Sequence, residues 1–111
     1  MLNPFNLLKR PSLDTVRQRA VVGETVIAEA ADTQRVDGYV YFPADTVDFD
    51  RLEPSSRTSV CPWKGVASYY DVVVDGQRLP AAAWTYETPS PAAKHIAGHI
   101  AFWHGVRVTS D

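Results

Sequence analysis

Between residues 61 and 65 the chain reads Cys61-Pro62-Trp63-Lys64-Gly65, five positions that combine a thiol, a fixed φ, an aromatic face, a cation and a flexible backbone. Pro62 pushes Cys61 toward an extended conformation and suits the second position of a turn, while Gly65 is free to turn left-handed. Such a turn can hold the Lys64 ammonium near the Cys61 sulfur, where a cation favours the thiolate and makes it nucleophilic. The same residues can equally be a small buried hydrophobe and a solvated lysine, or contacts to a ligand. No base-and-orienter pair is fixed by spacing, so the catalytic residues stay unassigned.

Aromatic residues follow closely: Tyr69 and Tyr70, then Trp84 and Tyr86, then Phe102 and Trp103. On strands, residues two apart share a face, which places Trp84 beside Tyr86 and Tyr69 beside Asp71. A small β domain needs large side chains between its sheets, so several of these rings are core. Two or more of them together can also wall a pocket for a flat small molecule, with Lys64 or His99 setting its polarity.

His95, His99 and His104 are poorly spaced for a metal. His95 and His99 share a helical face only if one helix continues through Gly98, and residues 96–100 read as the entry to a strand. His99 is the best placed of the three to move a proton, because imidazole titrates near neutrality. Asp48-Phe49-Asp50 puts two carboxylates on one side of an extended chain, an arrangement that can hold Mg²⁺ but more often marks a solvated loop. No phosphate-gripping glycine-rich motif is present, so nucleotidyl transfer has little support from the residues.

Positioning these groups falls to strands. β-branched residues arrive in short runs between turn signals, which predicts an antiparallel all-β domain with strands near residues 16–22, 25–31, 38–42, 58–61, 67–74, 78–86, 98–103 and 106–109. Asp75-Gly76 predicts a type I′ hairpin, since both residues tolerate positive φ. Gly23-Glu24 fits a type II′ turn, and His104-Gly105 can reverse the chain. Pro43 ends a strand, and Ser90-Pro91 predicts one short helix with Ser90 as its cap.

At 111 residues, 45% hydrophobic and 22% charged, the chain is one domain able to bury a single core. Residues 1–15, with Pro4 and Pro11, read as an amino-terminal arm, and residues 16–111 as the β domain. A single cysteine cannot form an internal disulfide or a multi-cysteine zinc site. The longest stretch without a charged residue, 95–106, falls far short of the roughly 18 apolar residues of a membrane span. Phe5, Leu7 and Leu8 precede Lys9 and Arg10, the reverse of a secretory leader, so a cytoplasmic setting is expected. Eleven basic and thirteen acidic residues give a net charge of −2, which leaves no broad cationic surface for nucleic acid.

Taken together, Tyr41-Phe42-Pro43, Leu52-Glu53-Pro54-Ser55, Cys61-Pro62-Trp63-Lys64-Gly65, Ala67-Ser68-Tyr69-Tyr70, Ala83-Trp84-Thr85-Tyr86 with Pro89, Ile96-Ala97-Gly98 and Ala101-Phe102-Trp103 resemble the bacterial family called domain of unknown function 427. The resemblance spans roughly residues 16–108. It departs at Trp63, where tyrosine is commoner, and at Tyr70, where tryptophan is common. It implies a mainly β, antiparallel two-sheet domain with little helix, similar to the β-tent folds of methionine sulfoxide reductase B and the ligand domain of cereblon. Those folds carry paired cysteine zinc ligands, and with Cys61 alone a zinc of that kind is not expected here. The family is sometimes labelled nucleotidyltransferase-like, but no catalytic assignment carries over. Its hallmark positions, here Cys61, Lys64, Gly65, Tyr69, Trp84, Tyr86 and Gly98, mark where a common site is expected.

The resulting expectation is a domain that binds a small flat or anionic ligand in an aromatic-walled pocket formed by Cys61, Lys64, Tyr69, Trp84, Tyr86 and His99. Neither a metal nor a cofactor is expected, and neither nucleic acid nor membrane is an expected partner. Two rivals stand beside it. One is a thiol-dependent enzyme using Cys61 with Lys64 and His99, and the other a protein-interaction module with an exposed apolar patch.

Overall fold

The structure, a computed structural model, describes residues 16–110. The arm expected over residues 1–15 lies outside the described residues. Within them the chain forms β1 (Gln18–Val22), β2 (Thr25–Ala30), β3 (Gln34–Val36), β4 (Tyr39–Tyr41), β5 (Leu52–Cys61), β6 (Gly65–Val74), β7 (Gln77–Thr85), β8 (Ile100–Phe102) and β9 (Arg107–Ser110). The strands pair antiparallel in the orders β2-β1-β9, β5-β6-β7-β8 and β3-β4. Phe42 and Ile100 exchange backbone hydrogen bonds of 2.8 Å in both directions, which carries the β3–β4 hairpin onto the edge of the four-stranded sheet at β8. The fold is mainly β and antiparallel, as the spacing of the turn signals implies.

Period-two alternation divides the side chains between two cores. Val40 and Phe42, Val72 and Val74, Ala83, and Ile100 and Phe102 join Ala20, Val22 and Ile27 of the β1–β2 hairpin in the first. Their intervening neighbours Tyr41, Tyr69, Trp84 and Ala101 turn to the opposite side and pack with Tyr86, Ala93 and Ile96 in the second. Phe42 and Ile27 are almost wholly buried, and burial of each contributes about 1.5–3 kcal/mol.

Asp75 and Gly76 both have positive φ, at 50° and 79°, as a two-residue hairpin of the right twist requires. Asp37 and Gly38 do the same at 53° and 83°, between Val36 and its partner Tyr39. The sequence reading missed that hairpin because β3 is only three residues long and two of them, Gln34 and Arg35, are polar. His104-Gly105 does turn the chain, but β8 and β9 belong to different sheets, so it is a link between sheets and not a hairpin.

β5 starts at Leu52, well before the expected residue 58. It is an edge strand, where Pro54 costs the ladder little, and its register with β6 shifts between Pro54 and Thr58. The expected helix is a 3-10 segment, Pro91–Ile96, with non-helical backbone at Ala93. Ser90 does not cap it with its side chain. The Ser90 hydroxyl donates instead to the Trp63 carbonyl, and Ser90 N–H donates to the Lys64 carbonyl at 2.9 Å.

Candidate functional site

The ladder of β5 and β6 closes at the pair Cys61 and Gly65, leaving Pro62, Trp63 and Lys64 to make the turn. Two backbone carbonyls of that turn are held by Ser90, so the loop following β7 fixes the turn from one side. From the other side comes the β3–β4 turn. Its Asp37 Oδ2 accepts a hydrogen bond from Lys64 Nζ at 2.6 Å.

Lys64 is a buried cation, 7% exposed, whereas the Asp37 side chain is 51% exposed. The ammonium lies 5.5 Å from the centre of the Tyr86 ring and 5.4 Å from that of Trp63, within the range of cation–π attraction. Burial pulls the Lys64 pKa down, but the Asp37 hydrogen bond and the nearby Tyr41 and Tyr86 outweigh it, and the net shift is upward. The hydrogen bond from Lys64, with that ammonium's charge, holds the Asp37 carboxyl below its ordinary value against a smaller desolvation effect. Both groups are therefore charged across the neutral range.

Behind the lysine the rings are packed. Trp84 Nε1 donates to the Tyr41 hydroxyl at 3.1 Å, and Tyr41 is fully buried. Burial raises the pKa of both Tyr41 and Tyr86. Tyr69 sits 6.3 Å from Trp84 and shares a 2.9 Å hydrogen bond with Ser59 Oγ, and the Arg57 guanidinium lies over its ring at 4.7 Å. Tyr69, Trp84 and Tyr86 are each under 10% exposed, so what faces solvent at this corner is Trp63 and the Asp37 carboxylate.

Of the residues singled out in the sequence, Lys64, Tyr69, Trp84 and Tyr86 come together around one aromatic cluster, and Cys61, a free half-buried thiol, packs against it. The Lys64 ammonium is directed to Asp37. His99 stands apart: its Nδ1 lies 3.2 Å from the Ala97 carbonyl, and among the described residues no hydrogen bond or ring contact joins it to Lys64 or Cys61. Asp48 is engaged locally, accepting from Asp50 N–H at 3.1 Å and facing Arg51 Nε at 3.5 Å, which makes the acidic stretch a capped turn.

Sequence reasoning missed Asp37 and Tyr41. The signal for Asp37 was an Asp-Gly pair next to a strand-forming run, Tyr39 to Phe42, the same dipeptide that located Asp75-Gly76. Tyr41 was visible only as the last residue of a short strand; its partner lies 43 positions away. The structure also shows an open cleft of about 370 Å³ on the far side of the β3–β4 hairpin, with Arg35, Tyr39, Phe102, Trp103 and Val106 in its walls. Neither Lys64 nor Tyr86 borders it.

No curated protein matches the chain. The family model described as domain of unknown function 427 matches residues 12–110. That match takes in every strand and both turns of the Lys64 corner, and the chain belongs to the domain of unknown function 427 family.

Proposed function

We propose that this domain binds a small molecule with a flat body and an anionic group, received where the Cys61–Gly65 turn meets the aromatic cluster. Lys64 takes the anionic group, and the exposed ring of Trp63 lies against the bound body. One observation carries the reading: a lysine ammonium has been drawn to 7% exposure between two aromatic rings, at a cost in desolvation, and held next to solvent by a single carboxylate. Stability alone does not call for a charge in such a place, since replacing a buried ion pair by apolar residues of similar volume is often neutral or stabilising. A lysine that must meet an anion gains a partly dry site, in which each charge interaction is stronger than in water.

The thiol-dependent alternative has less in its favour. It needs the Lys64 cation beside the Cys61 sulfur, and that cation is bonded to Asp37.

The test is a thermal-shift screen of aromatic carboxylates, phosphorylated metabolites and their neutral analogues, followed by NMR mapping of any hit. A ligand present at 100 times its dissociation constant raises stability by about 2.7 kcal/mol, well within detection. Shifts concentrated at Trp63, Lys64 and Tyr86 support the reading. Hits that map only to other surfaces overturn it.

A further inference from the structure

The geometry points to Asp37 as a built-in competitor: its carboxylate occupies the place of a carboxylate ligand on Lys64, so the site is self-occluded and an incoming anion binds by displacing it. This rests on the reading of Lys64 as the ligand's anchor and adds the ligand class, a carboxylate, and the way access is controlled.

Four observations support it. With Lys64 nearly inaccessible and its Nζ already 2.6 Å from Asp37 Oδ2, an external anion reaches the ammonium only when Asp37 leaves. Asp37 can leave easily. Its side chain is half exposed, and it sits in a two-residue turn with Gly38, so small changes in the turn or a rotamer flip move the carboxylate into water.

The hairpin does not depend on that bond for its attachment. The reciprocal Phe42–Ile100 backbone bonds and the Trp84–Tyr41 bond hold β4 against the four-stranded sheet. Departure of Asp37 therefore leaves the strands in place and exposes a desolvated cation between the Trp63 and Tyr86 rings. Finally, the exposed ring of Trp63 stands beside the ammonium, its centre 5.4 Å from Nζ. An ammonium donor with an exposed ring beside it suits a carboxylate attached to a planar body.

A tethered competitor lowers apparent affinity by the fraction of time the site is open. If Asp37 is seated nine-tenths of the time, its removal tightens binding about tenfold. The experiment titrates benzoate, with benzamide as the neutral control, into the wild-type protein, Asp37→Gly, Asp37→Asn, Lys64→Met and the Asp37→Gly/Lys64→Met double variant, with dissociation constants read by NMR. Both glycine and asparagine accept the positive φ of position 37, so at least one variant keeps the turn.

The expected result is benzoate binding at least tenfold tighter in Asp37→Gly than in the wild type, with the gain absent for benzamide and absent from the double variant. Benzoate affinity that is unchanged or weaker in both Asp37 variants overturns the competition while leaving Lys64 as an anchor, provided Lys64→Met still abolishes wild-type binding. A gain that survives in the double variant overturns it too. Equal benzoate affinity in the wild type and Lys64→Met is the distinct outcome that removes the underlying site.

Discussion

Trp84 donates its indole N–H to the hydroxyl of Tyr41 across 3.1 Å, joining the end of β7 to the end of β4 inside the second core. The bond is buried, and its loss in Tyr41→Phe leaves the indole donor without an acceptor. The expected cost is about 1–3 kcal/mol in unfolding free energy, read from urea denaturation. A variant as stable as the wild type would show that the indole finds another partner.

Thr85 offers the opposite case. Its Oγ1 is buried without a hydrogen-bond partner among the described residues, and valine has nearly the same shape. Thr85→Val should therefore stabilise by about 1 kcal/mol, raising the melting temperature by roughly 4–8 °C. A lower melting temperature would mean that the hydroxyl is paired in solution.

At the β6–β7 turn, Gly76 has φ of 79° with open space around it, so a side chain there meets conformational strain and no clash. Gly76→Val should cost roughly 1–2 kcal/mol, because a β-branched residue resists the left-handed region. Gly76→Asn should cost much less. Equal melting curves for the two variants would contradict the turn assignment.

The Lys64–Asp37 pair sets a pH window. Asp37 has its pKa lowered, so its contribution is present above the ordinary aspartate value of 3.8 and is lost as pH falls through the lower folded value. Lys64 has its pKa raised, so its contribution is present below 10.5 and is lost as pH rises through the higher folded value. The pair should hold unchanged between those limits. NMR titration of the Asp37 carboxyl carbon should give a midpoint below 3.8 that moves up in Lys64→Met. A wild-type midpoint at or above 3.8 contradicts the bond.

Much of this architecture was readable because β-strands alternate and their tight turns need particular residues. Asp75-Gly76 located a hairpin, and the parity of Trp84 and Tyr86 placed both rings in one cluster. What escaped the sequence was long-range. That Asp37 would meet Lys64 depends on β4 joining β8 through Phe42 and Ile100, 58 positions apart, and no local pattern specifies that pairing. Ser90 escaped for a related reason: a serine before a proline suits a helix cap, but its hydroxyl found the Trp63 carbonyl, brought close by the β5–β6 turn. His99 was chosen for its titration range alone, and pKa says nothing about where a backbone will place a ring.

The most direct test of the account is isothermal titration of benzoate into the wild-type protein and Lys64→Met, with thermal melts of both run in parallel. The account predicts that Lys64→Met melts close to the wild type and binds benzoate at least tenfold more weakly, while benzamide does not distinguish the two. Equal benzoate affinity in a folded Lys64→Met protein would contradict it.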